Sequence, residues 1–121
     1  MSTRALVESY YSSLDQKDSK WQELYADDAV FTDASKTLSA VGKAAVIQSF
    51  VPFLKGVESV KVKQMIVEGE DACAVVGYGY INPKGKRMSQ NVAEVWATKN
   101  SKLARLTIYF DLTAYRTFIS S

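Results

Sequence analysis

Between residues 3 and about 17, Leu6, Val7, Tyr10, Tyr11 and Leu14 recur at three- and four-residue spacing, with Arg4, Glu8, Ser12 and Ser13 between them. That period predicts an amphipathic helix with one apolar stripe. The stretch "DQKDSK" interrupts it, and Asp18 or Ser19 offers an N-cap for a second, short helix carrying Trp21, Leu24 and Tyr25. "ADDA" closes that helix and leads into "AVFTD". As a strand, this run puts Ala29, Phe31 and Asp33 on one face and Val30 and Thr32 on the other. "ASKT" turns the chain and "LSAVG" predicts a short returning strand. From about Lys43 the period is helical again, through Val46, Ile47, Phe50, Val51, Phe53 and Leu54. Pro52 falls inside this helix and is expected to kink or break its last turn, with Gly56 as terminator.

The remainder predicts strands. "VESVKVKQMIVEGE", "DACAVVGYGYIN", "RMSQNVAEVWATKN" and "KLARLTIYF" are long β-patterned runs joined at "EGED", "NPKG" and "KNSK". In "NPKG", Asn82, Pro83 and Gly85 occupy the positions a type I turn prefers. Turns this short allow only antiparallel neighbours. "DLTAYRTFI" predicts a last helix with Asp111 as N-cap. The order α-α-β-β-α-β-β-β-β over residues 1–121 implies one α+β domain, a large antiparallel sheet with helices over one face. The concave side of such a sheet is where small-ligand sites occur.

Composition narrows the chemistry. The chain has 121 residues, no histidine, one cysteine and a net charge of +2. Without histidine there is no Ser-His-Asp or Cys-His machinery and no histidine metal ligand, so acid–base work falls to carboxylates, tyrosines or lysines. Cys73 lies in an apolar run and reads as a buried, inert thiol; alone it forms neither an intrachain disulfide nor a cysteine zinc site. Both signs of charge are spread along the chain, which argues against a nucleic-acid surface. No apolar stretch approaches a membrane span and no signal-peptide core is visible, so the expected setting is cytoplasmic and reducing.

Taken together, "SYYSSLDQKDSKWQELYADDAVFTD", the helix from "VGKAAVIQSF" and the closing "AEVWATKNSKLARLTIYFD" resemble the nuclear transport factor 2-like superfamily, in particular its SnoaL-like and ketosteroid-isomerase-like members. The resemblance spans essentially the whole chain. It implies a cone-shaped α+β barrel around an apolar pocket, often dimeric. Some members are isomerases, cyclases, dehydratases or hydrolases; others only bind or assemble.

The resemblance also implies site residues. Asp33 aligns with the family's proton-moving aspartate, and its shared face with Phe31 would raise its pKa. As the residue before "ASKT", it reads equally well as a turn-starting aspartate. Glu94 shares a strand face with Val92 and Trp96 and aligns with the neutral acid that supports an oxyanion. It is one methylene longer than the family's aspartate, and with reversed parity it faces solvent. Tyr10 fits the family's oxyanion-hole tyrosine, with Tyr11 one step away, and a core aromatic is the plainer reading of either. Under this scheme Asp33 takes a proton next to a carbonyl while Tyr10 and Glu94 stabilise the enolate oxygen.

An apolar pocket would be lined by Phe31, Phe50, Phe53, Trp96, Leu106, Ile108 and Phe110. The expected ligand is a small apolar carbonyl compound, handled without a cofactor or metal. The alternative is a non-catalytic ligand-binding or dimerisation domain. Asp27 and Asp28 read as an exposed acidic turn, and Glu68, Glu70 and Asp71 as a hairpin tip, with Lys84, Lys86 and Arg87 around another. In "GYGYIN", Gly77 and Gly79 occupy one strand face. Tyr78 and Tyr80 are then expected on the other, where they would serve a homodimer contact through the sheet.

Overall fold

The computed structural model describes residues 1–121. Helix α1 (Thr3–Gln16) begins at Ser2, whose hydroxyl accepts from the Ala5 N–H. A 3₁₀ turn, Lys20–Leu24, follows. The Asp18 carboxylate receives the Lys20 N–H and the Ser13 hydroxyl. Strand β1 (Tyr25–Asp33) starts earlier than the sequence implied, because Tyr25 is already extended and buried. "ADDA" is therefore strand rather than the close of a helix, and it coincides with a register shift between Tyr25 and Val30 that leaves Asp27 and Asp28 in solvent.

After β2 (Ser39–Val41), helix α2 (Lys43–Leu54) runs two residues past Pro52 before it ends. The strands β3 (Val57–Glu68), β4 (Asp71–Ile81), β5 (Arg87–Lys99) and β6 (Lys102–Tyr109) form an antiparallel meander, and α3 (Leu112–Ser120) is capped by the Asp111 side chain. The six strands lie in the order β2-β1-β6-β5-β4-β3. Two corrections follow. β1 runs parallel to β6, so the sheet is mixed. Its edges, β2 and β3, do not meet, so it is curved but open and no barrel closes.

Curvature has local causes. Register shifts interrupt β3 twice and the β5–β6 pair once, and such irregularities bend and twist a strand. Gly77 and Gly79 lie on the convex face, where a β-carbon would meet the Lys63 and Ser59 side chains of β3. Tyr78 and Tyr80 consequently point inward and are buried, which removes them from the exposed contact surface expected for a dimer. The convex face instead exposes Ile66, Val95 and Tyr109.

The concave face and the helices enclose one core. Leu6, Val7, Tyr10, Tyr11 and Leu14 of α1 and Val46 and Phe50 of α2 are buried there. Small residues on β4 make room for large ones on β5: Ala72 pairs with Trp96 and Ala74 with Glu94. The helix α1 also serves the sheet's edge, since Asp15 accepts the Val60 N–H of β3 at 3.0 Å. No helix is long and apolar enough to cross a membrane.

Candidate functional site

Between the concave face and the helices lies a cavity of about 360 Å³, lined mostly by hydrophobic residues. Phe31, Phe50, Phe53, Leu106, Ile108 and Phe110 line it, and so do Tyr10 and Glu94. Trp96 and Asp33 do not. Trp96 is packed into an aromatic cluster instead, with ring centroids 4.9 Å from Tyr10, 6.3 Å from Tyr11 and 6.2 Å from Tyr25.

Glu94 is 3% exposed, in the middle of β5. Strand parity points it inward, and the buried position is tolerated because donors reach it from two elements. The Tyr11 hydroxyl of α1 donates to Oε1 at 2.6 Å. The Tyr78 hydroxyl of β4 lies 3.1 Å from Oε1 and 3.0 Å from Oε2. The Trp96 indole N–H donates to the Tyr11 oxygen at 2.8 Å. With that oxygen serving as acceptor, Tyr11 turns its own proton onto Glu94, and the chain Trp96–Tyr11–Glu94 has a fixed direction.

Burial drives the Glu94 carboxyl up, opposed by the hydrogen bonds from Tyr11 and Tyr78, to about 7. Tyr10, Tyr11, Tyr25 and Tyr78 are all pushed well above the usual phenol value, foremost by burial. They remain protonated donors throughout the range in which Glu94 titrates.

The two adjacent tyrosines of α1 take different partners. Tyr11 holds the carboxylate, while Tyr10 accepts the Tyr25 hydroxyl proton at 3.0 Å. Tyr10 keeps its own proton, and it lines the cavity.

Asp33 keeps the expected parity, buried on the same side of β1 as Phe31. Its carboxylate, however, is engaged by the loop that follows. Oδ1 accepts the Leu38 N–H at 2.7 Å and Oδ2 accepts the Ser35 hydroxyl. Burial alone would raise its pKa, but the donors from Ser35 and Leu38 outweigh it and hold the group below the ordinary aspartate value. The geometry is that of a turn-starting aspartate, not of a base facing a ligand.

Sequence reasoning passed over Tyr78 as a site residue. The signal was available: of the two faces in "GYGYIN", the one made of glycines has no side chains to build a core.

A family model of the SnoaL-like domain matches residues 7–106. No curated protein matches the chain. Among solved structures, an NTF2-like protein of unknown function from Burkholderia pseudomallei K96243 superposes with a TM-score of 0.85 at 15% identity, covering 98% of both chains. TerC, co-crystallised with polyporic acid, gives 0.82 at 13% identity, again over 98% of both. A hypothetical protein with a ketosteroid isomerase-like fold from Catenulispora acidiphila DSM 44928, in complex with trimethylamine, gives 0.76 at 13% identity, covering 95% of this chain and 92% of that one.

Proposed function

The chain belongs to the SnoaL-like domain family, and from that premise we propose that its cavity binds a small, mostly apolar carbonyl compound and moves a proton on the carbon next to the carbonyl. The observation that carries this reading is Glu94: one carboxyl, buried in the wall of an apolar cavity, titrating at about 7. A group with that value is about half ionised at neutral pH, where a general base is most useful.

The roles shift from those expected. Ionised Glu94 takes the proton, and the C–H electron pair becomes the enolate. Tyr10, whose O–H is free to donate, supports the enolate oxygen. Where the substrate carries a β,γ carbon–carbon double bond the enolate is a dienolate. Glu94, now protonated, returns the proton to its γ-carbon, the double bond shifts into conjugation with the carbonyl, and Glu94 is ionised again, which completes an isomerisation with no cofactor. Asp33 has no part in this scheme. The small molecules held by neighbours of this fold, polyporic acid in one and trimethylamine in another, support a cavity that takes organic ligands.

The test is exchange of the α-protons of 2-tetralone in D₂O, followed by proton NMR. Exchange above buffer background, rising as pH passes through about 7 and lost in Glu94→Gln, is the expected result. Exchange at background, or unaltered by Glu94→Gln, overturns it.

A second reading is binding without chemistry. It is favoured by the absence of Asp33 from the cavity and by the two tyrosines already bonded to Glu94. Saturable 2-tetralone binding with no exchange would select it.

A further inference from the structure

We infer that the same cavity, with Glu94 ionised, is a receptor for a small apolar quaternary ammonium ion. This goes beyond the proton-transfer reading, since it requires a bound cation and no reaction; the two share the cavity and the ionised Glu94 carboxylate.

Charge balance is the first argument. Glu94 is the only residue with a formal charge among those lining the cavity; no lysine or arginine is present there. An ionised carboxylate buried without a counter-charge is unfavourable, so it takes up either a proton or a cation. A metal ion would strip the carboxylate of its tyrosines and find few oxygen ligands, because most of the lining is apolar. An organic cation meets both demands, placing charge near Glu94 and hydrocarbon against the remaining walls.

The state of the carboxylate oxygens selects the kind of cation. Both already face a hydroxyl donor: Tyr11 donates to Oε1, and the single Tyr78 proton lies within reach of Oε1 and Oε2. A primary ammonium would compete for those lone pairs with its three N–H donors. A quaternary ammonium has no N–H, needs no free lone pair and spreads its charge over methyl groups. The tyrosines can therefore stay where they are.

The walls supply the rest. Phe53, Tyr78, Tyr80 and Tyr115 line the cavity and touch one another, with centroids 5.7 Å apart for Phe53–Tyr78, 5.8 Å for Phe53–Tyr80, 5.6 Å for Phe53–Tyr115 and 5.1 Å for Tyr80–Tyr115. Ring faces attract cations, most strongly when the site is desolvated, and grouped rings are how proteins recognise quaternary ammonium. The cavity's about 360 Å³ falls within the range of small-ligand pockets.

The groups around Glu94 do not confuse the pH response. Those that feel its charge are Tyr10 and Tyr11 from α1, Tyr25 from β1, and Tyr78 and Tyr80 from β4. From β6 its cross-strand neighbour is the apolar Ile108, and α2 and α3 bring Phe50, Phe53 and Tyr115 to the same cavity. Every tyrosine among these is shifted upward, so Glu94 alone changes charge near neutrality.

The experiment is calorimetric titration of the full chain with benzyltrimethylammonium, whose charge is independent of pH. With Glu94 at about 7, affinity should rise about tenfold between pH 6 and pH 8, following its ionised fraction. Glu94→Gln should abolish that rise. Phe53→Leu should weaken binding severalfold and leave the rise in place, which separates the rings from the charge. No binding at pH 8, or equal affinity at both pH values in the unaltered protein, overturns the inference whether or not the variants fold. A parallel titration with 2-tetralone separates the two proposals: ketone binding without cation binding sinks this one alone, cation binding without ketone binding sinks the other, and binding of neither sinks both.

Discussion

Tyr11 donates its hydroxyl to Glu94 Oε1 at 2.6 Å, a buried bond that ties the first helix to the middle of the fifth strand. The donor stabilises the ionised acid, so its removal should favour the protonated form. Tyr11→Phe is expected to raise the Glu94 pKa above about 7. A hydrogen bond to a charged group contributes roughly 1.5–3 kcal/mol, or about one to two pKa units. Carbon NMR of the labelled side-chain carboxyl would measure it, and an unchanged midpoint would mean that burial alone sets the value.

Glu94 also makes stability depend on pH. Its folded value of about 7 lies above the reference of 4.5. Between those values the folded state holds a proton that the unfolded state has lost. Stability from this group is therefore complete below about pH 4.5 and declines as pH rises through about 7. The decline should amount to about 3 kcal/mol. Urea unfolding of the wild-type chain and Glu94→Gln at pH 5 and pH 8 tests this, the variant losing that part of the decline.

Asp33 should behave as a structural residue. Its bonds to Leu38 and Ser35 close the β1–β2 loop, and Asp33→Ala should destabilise the fold by about 1–2 kcal/mol. Because its folded pKa is lowered, its stabilising contribution is present above the unfolded value and lost as pH falls through the folded one. Binding of 2-tetralone to the folded variant should be unchanged. A folded Asp33→Asn protein that bound ketone but had lost proton exchange would return Asp33 to the mechanism.

Asn82 is a latch between the β4–β5 hairpin and the C-terminal helix. Its Oδ1 accepts the Lys84 and Lys86 N–H groups at 3.0 and 2.9 Å, and its Nδ2 donates to the Phe118 carbonyl at 3.1 Å. Helix α3 buries no residue fully, so this anchor matters more than its few contacts suggest. Asn82→Ala should cost about 2 kcal/mol through the unpaired groups it leaves. Hydrogen exchange should accelerate in α3 and at the hairpin while the centre of β5 stays protected.

Much of the fold was legible because its signals are local. Period and turn residues located the meander, "NPKG" and the Asp111 cap, and alternation placed Phe31 and Asp33 on one face. The parallel β1–β6 pairing left no such mark, since Val30 meets Arg105 across most of the chain. The site was partly legible. Alternation grouped Glu94 with Val92 and Trp96 but left open whether that face turned inward, and which of two adjacent tyrosines reaches it depends on how α1 is rotated over the sheet. Asp33 shows the limit most clearly: its face could be read, but whether its oxygens meet a ligand or the Leu38 amide is decided by the path of a loop.

The parallel pairing of β1 with β6 bears on how the chain reaches this structure. The strands β3 to β6 are joined by short turns and can zip up in sequence, whereas β1 must wait for the last strand to exist. Pairings so distant along the chain carry a larger closure cost and form slowly. On that ground the meander is expected to assemble first, with α1 and β1 arriving afterwards. Until they do, Glu94 lacks Tyr11, and Trp96 lacks the rings of Tyr10, Tyr11 and Tyr25. On that order the Trp96 indole would report the late step optically, and the acid at the cavity wall would gain its donor from α1 only when the first helix closes over the finished meander.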